Sequence, residues 1–277
     1  MGKTPKMRKI DVKKNPKIDY KDFVKRTALE SDFTTLIKEP CAIFEDGKLK
    51  VIYTTELVEA LKKIKYEQNE RNSGLKTTSR IFGYMPRRPL RGDFCHIASL
   101  SEQDPKSYRT IIDYAKKVAG LYSREDPGMY KIHSEMTTEK VKSEYQIPGT
   151  PFTSGIINKN NPLKYHFDTG NFREVYSCML AFKHNVGGGY LALPEYGLGL
   201  EIASNSVLIF DGQKILHGVT PIRSFSENSY RYTIVFYSLQ QMWKCLPLNE
   251  EVARIRNVKM ERERKRLPQE TLGKNVK

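Results

Sequence analysis

Apolar positions recur along the chain in two rhythms, and the change from one to the other falls near Pro148. Before it, Phe23, Val24, Ala28, Leu29, Phe33, Leu36 and Ile37 share one helical face and predict a helix from Tyr20 to about Lys38. A second helix is predicted from Glu56 to about Asn69, capped by Thr54 or Thr55, with Leu57, Leu61 and Ile64 on one face and Asn72-Ser73-Gly74 ending it. A third is predicted over 106–122, where Tyr108, Ile111, Ile112, Tyr114, Ala115, Val118 and Leu121 keep the period. Between the first two, CAIFEDGKLKVIY (41–53) places Asp46-Gly47 between two short apolar runs, a hairpin signal. The segment RIFGYMPRRPLRGDF (80–94) carries too much Pro and Gly to be regular.

After Pro148 the runs become short and β-rich: about 152–158, 163–167, 176–183, 190–193, 198–203, 206–210, 214–217 and 230–238. Gly, Asn, Pro and Asp turns separate them, which predicts an α+β fold: a two-sheet jelly roll with flanking helices. Gly187-Gly188-Gly189 has no helix after it and fits a tight β turn better than a phosphate cradle. Three units follow. Residues 1–19, Lys-rich and broken by Pro5 and Pro16, form a basic flexible arm. Residues 20–248 form a single domain, helical over 20–150 and β-built over 151–248. Residues 249–277 form a basic C-terminal helix and tail, its Val252, Ile255 and Val258 making only a thin stripe.

Composition narrows the partners. The chain has 277 residues, 39% of them hydrophobic, enough to exclude a disordered protein. Its net charge of +15 is uneven. Residues 1–28 hold ten basic against three acidic residues, 60–91 nine against two, and 251–277 nine against four. That distribution points to a polyanion. Cys41, Cys95, Cys178 and Cys245 lie far apart without metal-ligand spacing, and are expected as buried reduced thiols. The N-terminus has no apolar signal region, and no run approaches the roughly 18 apolar residues of a membrane span. An intracellular soluble protein without membrane contact, acting as a monomer, is the expectation.

The chemistry gathers around YHFDTGN (165–171). Residues two apart on an extended strand face the same way, so His166 and Asp168 can converge on one metal ion. His217, about fifty residues later, offers a third ligand. Two His and one carboxylate on one face of an octahedron leave three positions free, as non-haem Fe(II) needs to bind a co-substrate and O2. Arg231 follows fourteen residues beyond, with Thr233 on the same strand face. A guanidinium clamps a carboxylate through two hydrogen bonds and a neighbouring hydroxyl adds one, matching the distal carboxylate of 2-oxoglutarate. Arg223 is a rival clamp but precedes a polar turn, which places it on a loop. His96, His133 and His184 lack such company and are expected to be structural or on the surface.

The order His166-x-Asp168, His217, Arg231 resembles the Fe(II)/2-oxoglutarate-dependent dioxygenases. The strings INKNNPLKYHFDTGN, GGGYLALPEYGLGLEI, LIFDGQKILHGVTPI and YRYTIVFY are similar to the TET/J-binding-protein branch, in a compact form. The resemblance implies a double-stranded β-helix core, a catalytic dioxygenase domain over 20–248, and Fe(II), 2-oxoglutarate and O2 as cofactor and co-substrates. It implies oxidation of the methyl group of 5-methylcytosine in DNA to 5-hydroxymethylcytosine after base flipping. The alternatives are thymine hydroxylation by the same family, or a protein or small-molecule 2-oxoglutarate hydroxylase. By the same resemblance Asn171 meets the base edge and Tyr237 packs on the flipped base. Leu239 stands where animal TET enzymes use a base-contacting His. Arg88 and Arg91 could contact the substrate from a loop, and DNA would meet the basic segments 1–28, 60–91 and 251–277. In a viral or bacterial source the protein would work in the host cytoplasm, in a eukaryote in the nucleus.

Overall fold

Two facing β-sheets carry the chain, and helices cover the outer face of the larger one. The computed structural model describes residues 7–55, 79–87 and 94–266. The first part contains β1 (Arg8–Val12), β2 (Thr35–Ile37), β3 (Cys41–Glu45), β4 (Lys48–Thr54), β5 (Ser79–Met85) and β6 (His96–Ile97). Helices α1 (Ser99–Gln103), α2 (Pro105–Glu125) and α3 (Pro127–Lys140) follow. The second part contains β7 (Ser154–Lys159), β8 (Ser177–His184), β9 (Val186–Gly188), β10 (Leu191–Leu193), β11 (Leu198–Leu200) and β12 (Ser206–Phe210). It ends with β13 (Gly218–Val219), β14 (Ile222–Ser224), β15 (Tyr230–Tyr237) and α4 (Leu248–Arg266). Among the described residues no helix is long and apolar enough to cross a membrane.

The larger sheet runs β1-β3-β4-β12-β8-β15-β7-β5-β6 and the smaller β13-β10-β11-β2, with β14 and β9 as a separate ribbon. Both sheets are mixed, because β1 lies parallel to β3 and β2 parallel to β11. The central strands are buried on both faces. In β8, Cys178 and Leu180 face the helices while Met179 and Ala181 face the smaller sheet, and β12 divides Val207 and Ile209 from Leu208 and Phe210 likewise. Such strands read as continuous apolar runs rather than alternating ones. Helix α2 closes the outer face, setting Ile111, Ala115, Val118 and Tyr122 against Phe82, Ile157, Leu180 and Phe236. Asp104 caps it by accepting a hydrogen bond from the Ser107 N–H at 3.0 Å, with Pro105 in the first turn. Asp126 and Pro127 repeat that device at the start of α3, a helix the apolar period did not announce.

Several expectations are corrected. The helix expected over Tyr20 to Lys38 is absent. Two short 3-10 turns, Tyr20–Asp22 and Glu30–Asp32, precede β2, and Lys25 has a φ of 70°. Its apolar residues split between two environments: Phe23, Val24, Ala28 and Phe33 gather around Tyr165, while Ile37 enters the core between the sheets. A helical period alone cannot distinguish such a wrapping segment from a helix. The arm expected as flexible over 1–19 contains β1, paired with β3 from Arg8↔Cys41 to Val12↔Glu45. The segment 80–94 opens with regular β5, where Gly83 has a φ of 78° and a Cβ would sit 2.6 Å from the Thr153 carbonyl oxygen. The glycine lets β5 and β7 approach, where composition alone suggested a break. The turn at Gly187-Gly188-Gly189 begins as β9. Cys95 and Cys245 form a disulfide across 150 residues, so only Cys41 and Cys178 are the buried free thiols expected of all four. The helix expected over 56–69 lies outside the described residues.

The hairpin at 41–53 forms as β3 and β4, with Asp46 and Gly47 at φ of 49° and 73°, the double positive φ of a type I′ turn. Because Ile10 and Val12 of β1 pack on the core between the sheets, removing residues 1–19 should destabilise the protein by about 1–3 kcal/mol. Thermal denaturation checks this: the truncated protein should melt several degrees lower, and an unchanged melting temperature would show that β1 is dispensable.

Candidate metal centre

The segments expected as strands at 163–167 and 214–217 form no ladder and meet in one antiparallel bridge. His166 N–H donates to the His217 carbonyl at 2.9 Å, and His217 N–H donates back to the His166 carbonyl at 3.2 Å. This exchange sets the two imidazoles side by side, ring centroids 4.3 Å apart. Asp168 is fixed in turn, its N–H donating to the Gly212 carbonyl at 2.8 Å. A Cβ on Gly212 would come within 2.2 Å of Asp168 Oδ2, so the glycine makes room for the carboxylate. His166, Asp168 and His217 each offer one ligand atom, and these atoms lie within 4.8 Å of one another.

The tautomers follow from their partners. His166 Nδ1 lies 2.7 Å from the Lys164 carbonyl oxygen and His217 Nδ1 lies 2.8 Å from that of Ile215. A carbonyl only accepts, so in each ring Nδ1 carries the proton and Nε2 keeps its lone pair. Both Nε2 atoms face Asp168 Oδ1, at 3.7 and 3.8 Å. Burial pushes the pKa of His217 down, further helped by His166, against the opposing pull of Asp168, and the neutral form is the one that ligates. Two neutral imidazole nitrogens and one carboxylate suit a divalent transition metal, and the Nδ1 hydrogen bonds are the outer contacts that orient such ligands.

The ligand segment has a second flank that the pattern of the chain did not reveal. Tyr165 N–H donates to the Arg26 carbonyl at 2.9 Å and Lys25 N–H to the Tyr165 carbonyl at 2.8 Å. The Tyr165 hydroxyl donates to Asp32 Oδ2 at 2.9 Å, and Arg26 pairs with Asp32 Oδ1 at 2.7 Å. Behind His217, buried Glu195 accepts from Leu216 N–H at 3.2 Å and from Lys14 Nζ at 2.9 Å. The N-terminal residues thus brace both ligand segments, with Lys14 and Arg26 pairing from the surface with the buried carboxylates of Glu195 and Asp32. No sequence pattern marks these contacts, because apart from the Arg26–Asp32 and Leu216–Glu195 pairs each joins residues more than a hundred positions apart.

Arg231 and Thr233 lie on one face of β15, in a row with Val235 and Tyr237, turned toward the smaller sheet. Arg231 is 4% exposed, and burial pushes its pKa down to about 10, so it stays cationic at neutral pH. Its Nη2 has no hydrogen-bond partner among the described residues. Gly189, at a φ of 65°, accommodates it: a Cβ there would sit 2.9 Å from Arg231 Cδ. Arg223 is exposed on β14 and pairs with Glu30 at 3.4 Å, so it lies on a strand, not the expected loop, and away from this interior. Asn171 is 8% exposed and forms a backbone bridge with Leu239, beside Tyr237 at the end of β15. Arg88 and Arg91 lie outside the described residues. Of the remaining histidines, His133 is buried and held neutral by desolvation, its pKa pushed down to about 3, and His184 is exposed and stacks on Tyr230. Ser177, which contacts both Asn171 and Asp168, was missed, although a polar residue at an inward-facing position of an apolar strand is a legible signal.

The cluster of His166, Asp168 and His217 and the buried Arg231 agree with the class of 2-oxoglutarate- and Fe(II)-dependent oxygenases. A family model for Tet_JBP, the oxygenase domain of the 2OGFeDO superfamily, matches residues 88–240, and the chain belongs to this family, whose cofactor and co-substrates are Fe(II), 2-oxoglutarate and O2. Thymine dioxygenase JBP1 of Trypanosoma brucei brucei is 24% identical over 192 residues, covering 68% of this chain and 22% of its own length. Thymine dioxygenase JBP1 of Leishmania major is 32% identical over 129 residues, covering 46% of this chain and 15% of its own. The chain therefore spans less than a quarter of these relatives. The structure of NgTET1 in complex with 5mC DNA shares the fold, with a TM-score of 0.57 at 16% identity over 83% of this chain and 89% of that one. Replacing one ligand should release the metal: Asp168→Ala is expected to weaken Fe(II) binding by more than about 100-fold, read by anaerobic titration. Affinity within a few-fold of the native protein would remove Asp168 from the site.

Proposed function

We propose that the chain is an Fe(II)- and 2-oxoglutarate-dependent dioxygenase that hydroxylates the methyl group of 5-methylcytosine in DNA. One observation carries the oxygenase assignment beyond family membership: a buried guanidinium with an orphaned Nη2 shares an interior with a three-ligand cluster. An unpaired buried charge is costly, so the pocket is built for an anion. The distal carboxylate of 2-oxoglutarate fits it, with the Thr233 hydroxyl beside it. In this proposal His166, Asp168 and His217 hold Fe(II). When bound, the iron lets O2 and 2-oxoglutarate react, so that succinate and CO2 leave and one oxygen atom enters a methyl C–H bond. The two facing sheets fit a double-stranded β-helix, and residues 20–248 its catalytic domain.

The remaining residues position the substrate and exclude water. Phe210 sets its ring against His217, centroids 5.0 Å apart, shielding one side of the site. A base inside a duplex cannot reach such an interior, so the nucleotide is flipped out at a cost of a few kcal/mol. Stacking on Tyr237 offsets part of that cost, and Asn171 meets the base edge. Helix α4 adds phosphate contacts, because Arg256, Lys259, Arg264 and Lys265 are all exposed along it. The sequence relatives named above are thymine dioxygenases and the structural relative is bound to 5mC DNA, so both bases belong in the test.

Incubation with Fe(II), 2-oxoglutarate, ascorbate and DNA should yield 5-hydroxymethylcytosine from methylated substrate, measured by nucleoside mass spectrometry. Hydroxymethyluracil from thymine alone would move the assignment to thymine, and no oxidised base from either would overturn the DNA reading. Arg231→Ala should raise the KM for 2-oxoglutarate by about 100-fold, as expected for loss of a buried charge-assisted pair. An unchanged KM would place the co-substrate elsewhere.

A further inference from the structure

A single hydroxyl joins the proposed metal ligand to the proposed base reader. Ser177, 4% exposed at the start of β8, donates from Oγ to Asp168 Oδ2 at 3.5 Å, and accepts from Asn171 Nδ2 at 3.0 Å. Directions within this chain are not interchangeable. An ionised carboxylate only accepts, so the one Ser177 proton points to Asp168. The lone pairs of Ser177 then face Asn171, which must present its NH2 group to them. Reversing the amide would set two acceptors against each other in a buried site, and leaving a buried polar pair mismatched is costly. The carbonyl oxygen of Asn171 is therefore turned away from Ser177, and no described residue donates to it.

From this geometry we infer that Ser177 is the positioning residue that sets base specificity, by locking Asn171 with its carbonyl oxygen toward the substrate. An amide oxygen there is a hydrogen-bond acceptor and favours a pyrimidine with a donor next to its 5-methyl group. The 4-amino group of 5-methylcytosine is such a donor, whereas thymine offers its O4 acceptor at that position. The inference rests on the proposed DNA-oxidising function and names the group that makes it discriminate. Asp168 divides its two oxygens: Oδ1 faces the imidazoles, while Oδ2 accepts from Ser177 in the space that Gly212 leaves open. Loss of the Ser177 hydroxyl would free the Asn171 amide to rotate and present either end.

The test compares native protein, Ser177→Ala, Ser177→Thr, Asn171→Ala and the Ser177→Ala/Asn171→Ala double variant. Two readouts are taken on otherwise identical duplexes carrying one 5-methylcytosine or one thymine at the target position: kcat/KM, and equilibrium affinity of the metal-free protein. Ser177→Ala should lower the preference for 5-methylcytosine by about ten-fold in both readouts, the worth of one buried hydrogen bond. Ser177→Thr, which keeps the hydroxyl, should restore it. The double variant should discriminate no worse than Asn171→Ala alone, because the serine acts through the asparagine. Equal losses on both bases, or additive effects in the double variant, would overturn the relay. Native protein that oxidises neither base would instead overturn the function on which it rests, and Fe(II) affinity measured on each variant separates a damaged metal site from a freed amide.

Discussion

Two backbone hydrogen bonds, exchanged between His166 and His217, hold the candidate centre together. Neither segment is a proper strand, and without this bridge the histidines would sit on independent loops about fifty residues apart. The bridge also decides where the rings point. Each Nδ1 is tied to the carbonyl two residues before its own residue, Lys164 or Ile215, so the backbone that brings the rings together also fixes which nitrogen stays bare. Asp168 then needs only the Gly212 carbonyl and a missing Cβ to complete the set. Ligand geometry here is a property of main chain more than of side-chain packing, which keeps a partly exposed His166 in place.

A site built on isolated bridges needs support from behind, and the N-terminal residues provide it. Arg26, Asp32 and Tyr165 form one brace, and Lys14 with Glu195 forms the other. Both include a buried or half-buried charge, and each is paired, as burial demands. Lys14 and Arg26 keep 40% and 39% of their side-chain surface exposed, so these pairs withdraw only part of the N-terminal share of the +15 charge from a polyanion. On α4, Lys265 pairs with Glu261 at 2.8 Å, while Arg256, Lys259 and Arg264 are exposed, on a helix whose buried Glu251 is anchored to Arg87 and to the Cys95 N–H.

Much of the β half was legible because its strands are short, apolar and bounded by turn residues: Ser206–Phe210 lies where the pattern placed it, and β8 and β15 fall within one residue of theirs. Helix α2 was legible for the same reason, as its apolar face meets a sheet. The N-terminal wrap was not, since Phe23, Ala28 and Phe33 imitate a helical period while packing around Tyr165. The disulfide escaped notice because cysteines 150 residues apart carry no local signal. At the site, the cluster His166, Asp168 and His217 could be proposed from residue type and order, and the structure brings those three together. Glu195 and Asp32 could not, because their partners Lys14 and Tyr165 are distant in sequence and close only in the folded chain, whereas Ser177, six residues from Asn171 and nine from Asp168, was legible as a polar residue in an apolar strand.

That distance also orders the assembly of the protein. Lys14 must find Glu195 across 181 positions and Asp32 must find Tyr165 across 133. Contacts of such long range cost loop-closure entropy before they return any stability, and they slow folding. During synthesis from the N-terminus the first brace waits for residue 165, the second for residue 195, and the last member of the cluster for residue 217. A ribosome-bound fragment ending before His217 would therefore hold only His166 and Asp168 of the cluster, with strand β15 still to come.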